Sequence, residues 1–179
     1  MTLRLKLFYV TALPLEERRA GSIFVVNMAR ALRRLGVDLL VVAPLRLPSP
    51  GNLVKDLPSI LLPIPNLLKL KQHLELAYVI MELIYISLVL FFLFCYRVLS
   101  AILFTKRDKV ILTDNLALAA SFILLRWLHG CHVALEVHDE PRKVYDFWVL
   151  KLVVSHGQLI VTAHYLIKKI TERICVEKE

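Results

Sequence analysis

Short apolar runs recur along the chain and alternate with helical patterns, and this alternation is the feature that most constrains the fold. Strands that alternate with helices predict an α/β fold with a doubly wound, mainly parallel sheet, right-handed crossovers and the strand order 3-2-1-4-5-6. The predicted strands are residues 3–10, 38–42, 60–62, 109–112, 132–137 and 158–162. The predicted helices are residues 22–35, 67–105, a helix from Asp114 or Asn115 to about His129, and 163–173.

Composition indicates one domain, residues 1–179, which is long enough for a core of its own. Hydrophobic residues make up 58% of the chain, the mean hydropathy is +0.63 and the net charge is +8. A basic, apolar chain suits either nucleic acid or an anionic membrane surface. The high aliphatic content, without RNP, helix-turn-helix or zinc-finger spacing, argues against nucleic acid as a partner and favours a membrane.

The cysteines and histidines predict neither a disulfide framework nor a metal site. Cys95, Cys131 and Cys175 are odd in number and lack metal-ligand spacing, which fits a reducing compartment. The histidines show no i, i+4 pairing, so we expect no metal and no cofactor.

The long apolar segment, residues 67–105, has three interpretations. Its uncharged centre, residues 83–96, is flanked by Glu82 and Arg97 and is shorter than the roughly 20 residues of a membrane span. It could dock on a membrane surface, lie in the core or under a partner, or cross the membrane once. Strands before and after it should share one sheet, which argues against a crossing. We therefore expect peripheral or monotopic attachment on the cytoplasmic side of the cell membrane.

The first predicted helix has start and stop signals. Ser22 is its predicted N-cap and Gly36 its C-terminal stop. Its expected inner side consists of Ile23, Phe24, Val26, Met28, Leu32 and Leu35.

Polar residues follow several predicted strands, where ligands of open α/β sheets bind. His138, Asp139 and Arg142 follow the fifth strand, Asp114 follows the fourth, and His164 follows the sixth. The first strand leads into a loop that contains Arg19 and ends at Gly21-Ser22. We expect Gly21, Ser22, Asp114, His138, Asp139 and His164 to share the carboxyl edge of the sheet.

These residue types suit a sugar or phosphate ligand. A helix that starts at Gly21-Ser22 offers backbone N–H groups to an anion, although a plain helix cap is an equal alternative. Arg19 and Arg142 suit phosphate, unless they are simply solvated. His138 can donate to a sugar hydroxyl or exchange a proton near neutral pH, with Asp139 or Glu140 to orient it. The structural alternative is a rim histidine that neighbouring groups satisfy.

Four segments together resemble the N-terminal, acceptor-side domain of a family 4 GT-B glycosyltransferase. They are residues 20–44, 108–111, 136–141 and 159–170. The resemblance implies a Rossmann-like half of a GT-B fold, with His138 beside the transferred sugar and His164 where the family often has a ligand-contacting serine. It also implies a nucleotide-sugar donor and a lipid-linked or cell-envelope acceptor.

The resemblance also leaves alternatives open. The family's donor-binding C-terminal domain has no counterpart in these 179 residues, so hexosyltransferase chemistry implies a separate donor-binding chain. The second reading is a non-catalytic, membrane-bound Rossmann-like binding module or an inactive remnant. The third is an unrelated Rossmann-like protein that binds a nucleotide.

Overall fold

A six-stranded, all-parallel sheet organises the part of the chain that the structure describes, with the strand order β3-β2-β1-β4-β5-β6. The computed structural model describes residues 5–13, 15, 20–46, 56–64, 74–103, 108–138 and 144–161. This Rossmann-like α/β topology confirms the predicted fold class and strand order. The elements are β1 (Lys6–Val10), α1 (Ala20–Arg34), β2 (Asp38–Arg46), β3 (Ser59–Ile64), α2 (Leu74–Ile102), β4 (Lys109–Thr113), α3 (Leu116–Leu124), α4 (Arg126–His129), β5 (His132–Val137), α5 (Val144–His156) and β6 (Gln158–Val161).

The sheet is covered on both faces, which is why its central strands are apolar on both sides. On one face, Leu7 and Tyr9 of β1 pack with Val25 and Val26 of α1. On the other face, Phe8 and Val10 pack with three helices. The buried residues of these helices are Met81, Tyr85, Val89, Leu90 and Leu93 of α2, Leu118, Ala119, Phe122 and Ile123 of α3, and Leu150 and Val153 of α5.

Helix α1 begins two residues earlier than predicted and buries a different side. Because it starts at Ala20, Ser22 lies in its first turn, and the predicted N-cap at Ser22 is wrong. The buried stripe is Ser22, Val25, Val26 and Ala29, whereas the expected core residues Ile23, Phe24 and Leu35 are exposed. The apolar residues of this helix reach beyond the buried stripe, so their spacing alone did not decide which part of the helix meets the sheet.

The predicted stop of α1 is confirmed. Gly36 has a φ of 81°, a left-handed conformation that costs glycine little. The Gly36 N–H donates to the Arg33 carbonyl (3.0 Å), and the Val37 N–H donates to the Leu32 carbonyl (3.2 Å). This pair of bonds is the Schellman motif, which satisfies carbonyls at the helix end.

The remaining elements refine the predicted ones. The Asn115 side chain accepts from the Leu118 N–H (2.9 Å), so Asn115 rather than Asp114 caps α3. Strand β2 continues through Pro44, which is paired with β3. Because β1 has already ended at this point, the missing N–H of Pro44 interrupts no hydrogen bonds between β2 and β1. Helix α5 was not predicted, and the predicted helix 163–173 lies outside the described residues.

Helix α2 lies on the sheet with one side buried and the other side apolar but exposed. By length and composition, its residues Glu75–Ile102 could cross a membrane. Ala77, Met81 and Tyr85 nevertheless point into the core. The Tyr85 hydroxyl lies within hydrogen-bonding distance of the Thr11 carbonyl (2.7 Å) and the Val42 carbonyl (3.2 Å). Tyr85 therefore fixes α2 to the carboxyl end of β1 and to the middle of β2.

Candidate functional site

Three polar side chains lie in one row just beyond the paired ends of the central strands. The parallel register aligns Val10 of β1 with Thr113 of β4, and Thr113 with Leu135 of β5. One residue further along each chain come Thr11, Asp114 and Glu136. Because parallel strands bring their carboxyl ends to the same edge, sequence-distant side chains meet here. A cavity of about 960 Å³ opens at this edge, with Gly21, Asp114, Glu136 and His138 in its lining.

Asp114 presents a carboxylate oxygen that has no hydrogen-bond donor among the described residues. Its Oδ2 accepts from the Thr11 hydroxyl (3.1 Å), while its buried Oδ1 has no such partner. Burial is the largest influence on this carboxyl and raises its pKa above the usual range, against the opposing effect of the Thr11 hydrogen bond. Buried polar atoms are normally paired, so Oδ1 is suited to accept a hydrogen bond from a ligand.

Glu136 is a second carboxylate at the site, and it is almost fully buried. Only 3% of the residue is exposed, and its Oε2 accepts a hydrogen bond from the Tyr9 hydroxyl (3.1 Å). Burial, then the negative charge of Glu136, raises the pKa of Tyr9, so Tyr9 stays protonated and can keep donating. The Nε2 atom of His138 lies 3.5 Å from the same Glu136 oxygen. Tyr9, Glu136 and His138 therefore form a connected series from the core to the cavity.

His138 is the outermost member of that series. Its side chain is 31% exposed, and its ring meets the Phe24 ring edge to face, with centroids 4.5 Å apart. The imidazole is thus held between a buried carboxylate and an aromatic ring while it still lines the cavity.

The start of α1 contributes to the cavity in a different way from the one expected. Gly21 lines the cavity, but a Cβ atom on it would lie 2.9 Å from Leu13 Cδ1. The glycine therefore makes room for the Leu13 side chain, itself part of the lining. Ser22 is fully buried and is not among the described residues that line the cavity. The structure thus brings Gly21, Asp114 and His138 together and places Ser22 in the core behind them.

Four predicted site residues, Arg19, Asp139, Arg142 and His164, lie outside the described residues. The sequence prediction also omitted several residues that the structure adds to the site. Glu136 had a usable signal, because residues two apart on a strand point to the same side and Glu136 precedes His138 by two. The contributions of Tyr9, Phe24, Glu82 and Tyr145 arise from packing between distant elements, which no local pattern reveals.

Within the described ranges, no group of three or more histidine, cysteine, aspartate or glutamate side chains is arranged to hold a metal ion. The described cysteines, Cys95 and Cys131, are both free thiols. Burial raises the pKa of Cys131 to about 11, so its thiol stays protonated at neutral pH.

Comparison with known proteins found no family model that matches the chain and no curated protein that matches its sequence. The resemblance to family 4 glycosyltransferases therefore stays a prediction, and the function has to be argued from the site.

Proposed function

We propose that this chain is the acceptor-side half of a glycosyltransferase, whose acceptor binds in the cavity at Asp114, Glu136 and His138. The observation that carries the proposal is the buried Asp114 Oδ1, which lacks a donor among the described residues. Above its raised pKa the Asp114 carboxyl is ionised and only accepts hydrogen bonds, so its ligand then has to donate one. A sugar hydroxyl donates such a bond and is also the group that an acceptor contributes to glycosyl transfer.

The three side chains take separate roles in this proposal. Asp114 accepts a hydrogen bond from the acceptor and orients it. His138 removes the proton of the attacking hydroxyl as its oxygen bonds to the anomeric carbon and the donor's nucleoside diphosphate departs. Glu136 stabilises the imidazolium that results, since its Oε2 lies 3.5 Å from His138 Nε2.

The nucleotide-sugar donor would be held by a donor-binding domain, whichever chain carries it. Much of the rate of a two-substrate transfer comes from positioning the two reactants, so this half alone should transfer little. Arg19 and Arg142 keep their predicted role as phosphate contacts in the assembled enzyme, Asp139 its role in orienting His138, and His164 its role as a ligand contact.

We also propose that the helical layer of α2, α4 and α5 docks on the cytoplasmic side of a membrane without crossing it. The outward side of α2 exposes large apolar residues such as Leu83 and Phe91. Trp127 of α4 and Trp148 of α5 are 71% and 74% exposed, and tryptophan favours the membrane interface. The net charge of +8 suits anionic headgroups. A membrane-docked site suits a lipid-linked or cell-envelope acceptor.

Binding of simple sugars tests the acceptor site without a sugar donor. A panel of methyl hexosides is titrated against the chain held in lipid nanodiscs, with saturation-transfer NMR as the readout. At least one hexoside should bind, and Asp114→Asn should weaken it about tenfold, because an amide replaces a charged acceptor. Asp108→Asn, the same change at the opposite edge of the sheet, is the control. Tight nucleotide binding with no hexoside binding would favour the unrelated nucleotide-binding reading instead.

A further inference from the structure

A second, apolar cavity adjoins the polar one on the side of α2. Its volume is about 160 Å³, and Ala12 and Glu82 line both cavities. The rest of its lining is Pro44, Ile64, Tyr78, Met81 and Tyr85. Apart from Glu82 at the junction, these are apolar or aromatic groups. The Tyr85 hydroxyl is already within hydrogen-bonding distance of two carbonyls, so the surface that lines the cavity is mainly hydrocarbon and aromatic ring.

The apolar cavity also reaches the exposed apolar side of α2. Tyr78, which is 47% exposed, is the exposed member of the described lining, whereas Ile64, Met81 and Tyr85 are buried. Its helical neighbours Leu76, Val79 and Ile80 are exposed as well. Apolar surface is therefore available from the polar cavity, through the second cavity, to the outside of α2.

From this continuity we infer that the ligand is an amphiphile: a sugar-bearing head group occupies the polar cavity and the start of an alkyl or isoprenyl chain occupies the apolar one. The inference rests on the proposed function for its head group and names the substrate class of the same site. Glu82 marks the boundary between the two parts of the ligand.

The size of the apolar cavity sets how much chain it holds. An apolar cavity of roughly 150 Å³ accommodates a benzene-sized molecule, so this one holds about six carbons. A longer chain would continue past Tyr78 along the outer side of α2, where the proposed membrane lies. Each buried methylene should strengthen binding about fourfold until the cavity is full.

A chain-length series tests the inference. Methyl, butyl and hexyl β-D-glucosides, and butanol and hexanol as compounds without a sugar, are titrated against the chain in lipid nanodiscs. Each dissociation constant is calculated from the concentration of compound that is free in water. Methionine methyl groups labelled with carbon-13 provide the readout, because the sequence has 3 methionines. Met81 lines the apolar cavity, whereas Met28 packs on the opposite face of the sheet and serves as the internal control.

Two neighbouring exposed residues of α2 provide matched variants. Tyr78→Lys puts a cation at the mouth of the apolar cavity. Val79→Lys makes the same charge change at a residue that is 52% exposed and outside the described lining. In the protein without substitutions, affinity should rise about 16-fold from butyl to hexyl glucoside. Tyr78→Lys should abolish this rise in affinity and should leave the binding of methyl glucoside unchanged. Val79→Lys should keep the full gain.

The outcomes separate this inference from the proposed function. A rise in affinity with chain length, with a shift of the Met81 signal and not of Met28, supports the inference. Bound methyl glucoside with a flat chain-length series overturns the inference and leaves the sugar site standing. The same rise for alcohols and glucosides, with no advantage for the sugar, supports the chain cavity and overturns the sugar site. No response of Met81 to any compound overturns the inference.

Discussion

The Tyr9 hydroxyl donates a 3.1 Å hydrogen bond to Glu136 and thereby links β1 to β5 across the intervening strand β4. Both residues are buried, and the bond connects positions 127 residues apart in sequence. It holds a carboxylate beneath His138 before any ligand arrives. Preorganised polar groups of this kind need no rearrangement when charge develops on a neighbouring imidazole.

Loss of His138 should slow sugar transfer strongly. In the assembled transferase, with a donor-binding domain present, His138→Ala should lower kcat by about a hundredfold or more, the usual contribution of a positioned acid or base. The control is His132→Ala, at the exposed start of the same strand β5. Transfer rates and circular dichroism should be measured together. Unchanged transfer by a folded His138→Ala protein would reduce His138 to a structural residue of the sheet edge.

Removing the Tyr9 hydroxyl should destabilise the fold. Tyr9→Phe leaves Glu136 buried without its donor, which should lower the free energy of unfolding by about 1–3 kcal/mol. Glu136→Gln combined with Tyr9→Phe should cost less than the sum of the two single changes, because the two residues are coupled. Urea denaturation provides the measurement, with Tyr145→Phe as the exposed control. Additive effects would show that the bond contributes no coupling.

The buried Asp114 should make stability depend on pH. Burial raises the pKa of Asp114 in the folded chain, so the folded state binds a proton more tightly than the unfolded state does. The contribution of Asp114 to the free energy of unfolding should therefore fall as the pH rises from the ordinary pKa of an aspartate to the raised pKa of Asp114. Asp114→Asn should remove that part of the fall, while Asp108→Asn should not. Urea denaturation between about pH 4 and 7 measures the difference, and parallel curves for all three proteins would contradict it.

The sheet was predictable because each strand carries its own signal. The fifth strand was predicted with the bounds that β5 has, His132–Val137, and Gly36 lies at the C-terminal end of α1 as predicted. The strand order followed from the alternation of strands with helices and from the right-handed crossovers between parallel strands, rather than from any single residue. Helix α5 has apolar residues around most of its circumference, so periodicity gave no signal there.

The candidate site was only partly predictable, for a physical reason. Sequence showed that Asp114 and His138 follow strands, but the row of Thr11, Asp114 and Glu136 depends on strand register, which arises from tertiary pairing. The Phe24 contact with His138 depends on which stripe of α1 is buried, and the sequence prediction assigned Phe24 to the core. The apolar cavity beside Ala12 depends on how α2 lies across the sheet.

The exposed side of α2 should bind membranes in a way that salt weakens but does not abolish. The chain should pellet with anionic vesicles, and high salt should release only part of it, because salt screens surface charge but not apolar insertion. Phe91→Asp should weaken the salt-resistant binding about tenfold or more, since burial of one phenylalanine is worth about 1.5–3 kcal/mol. Leu35→Asp makes a comparable change at a residue that is 79% exposed at the end of α1, the helix on the other face, and should have little effect. Equal losses from the two variants would assign the binding to charge alone. Complete solubility without detergent, together with no vesicle binding at low salt, would contradict membrane docking altogether.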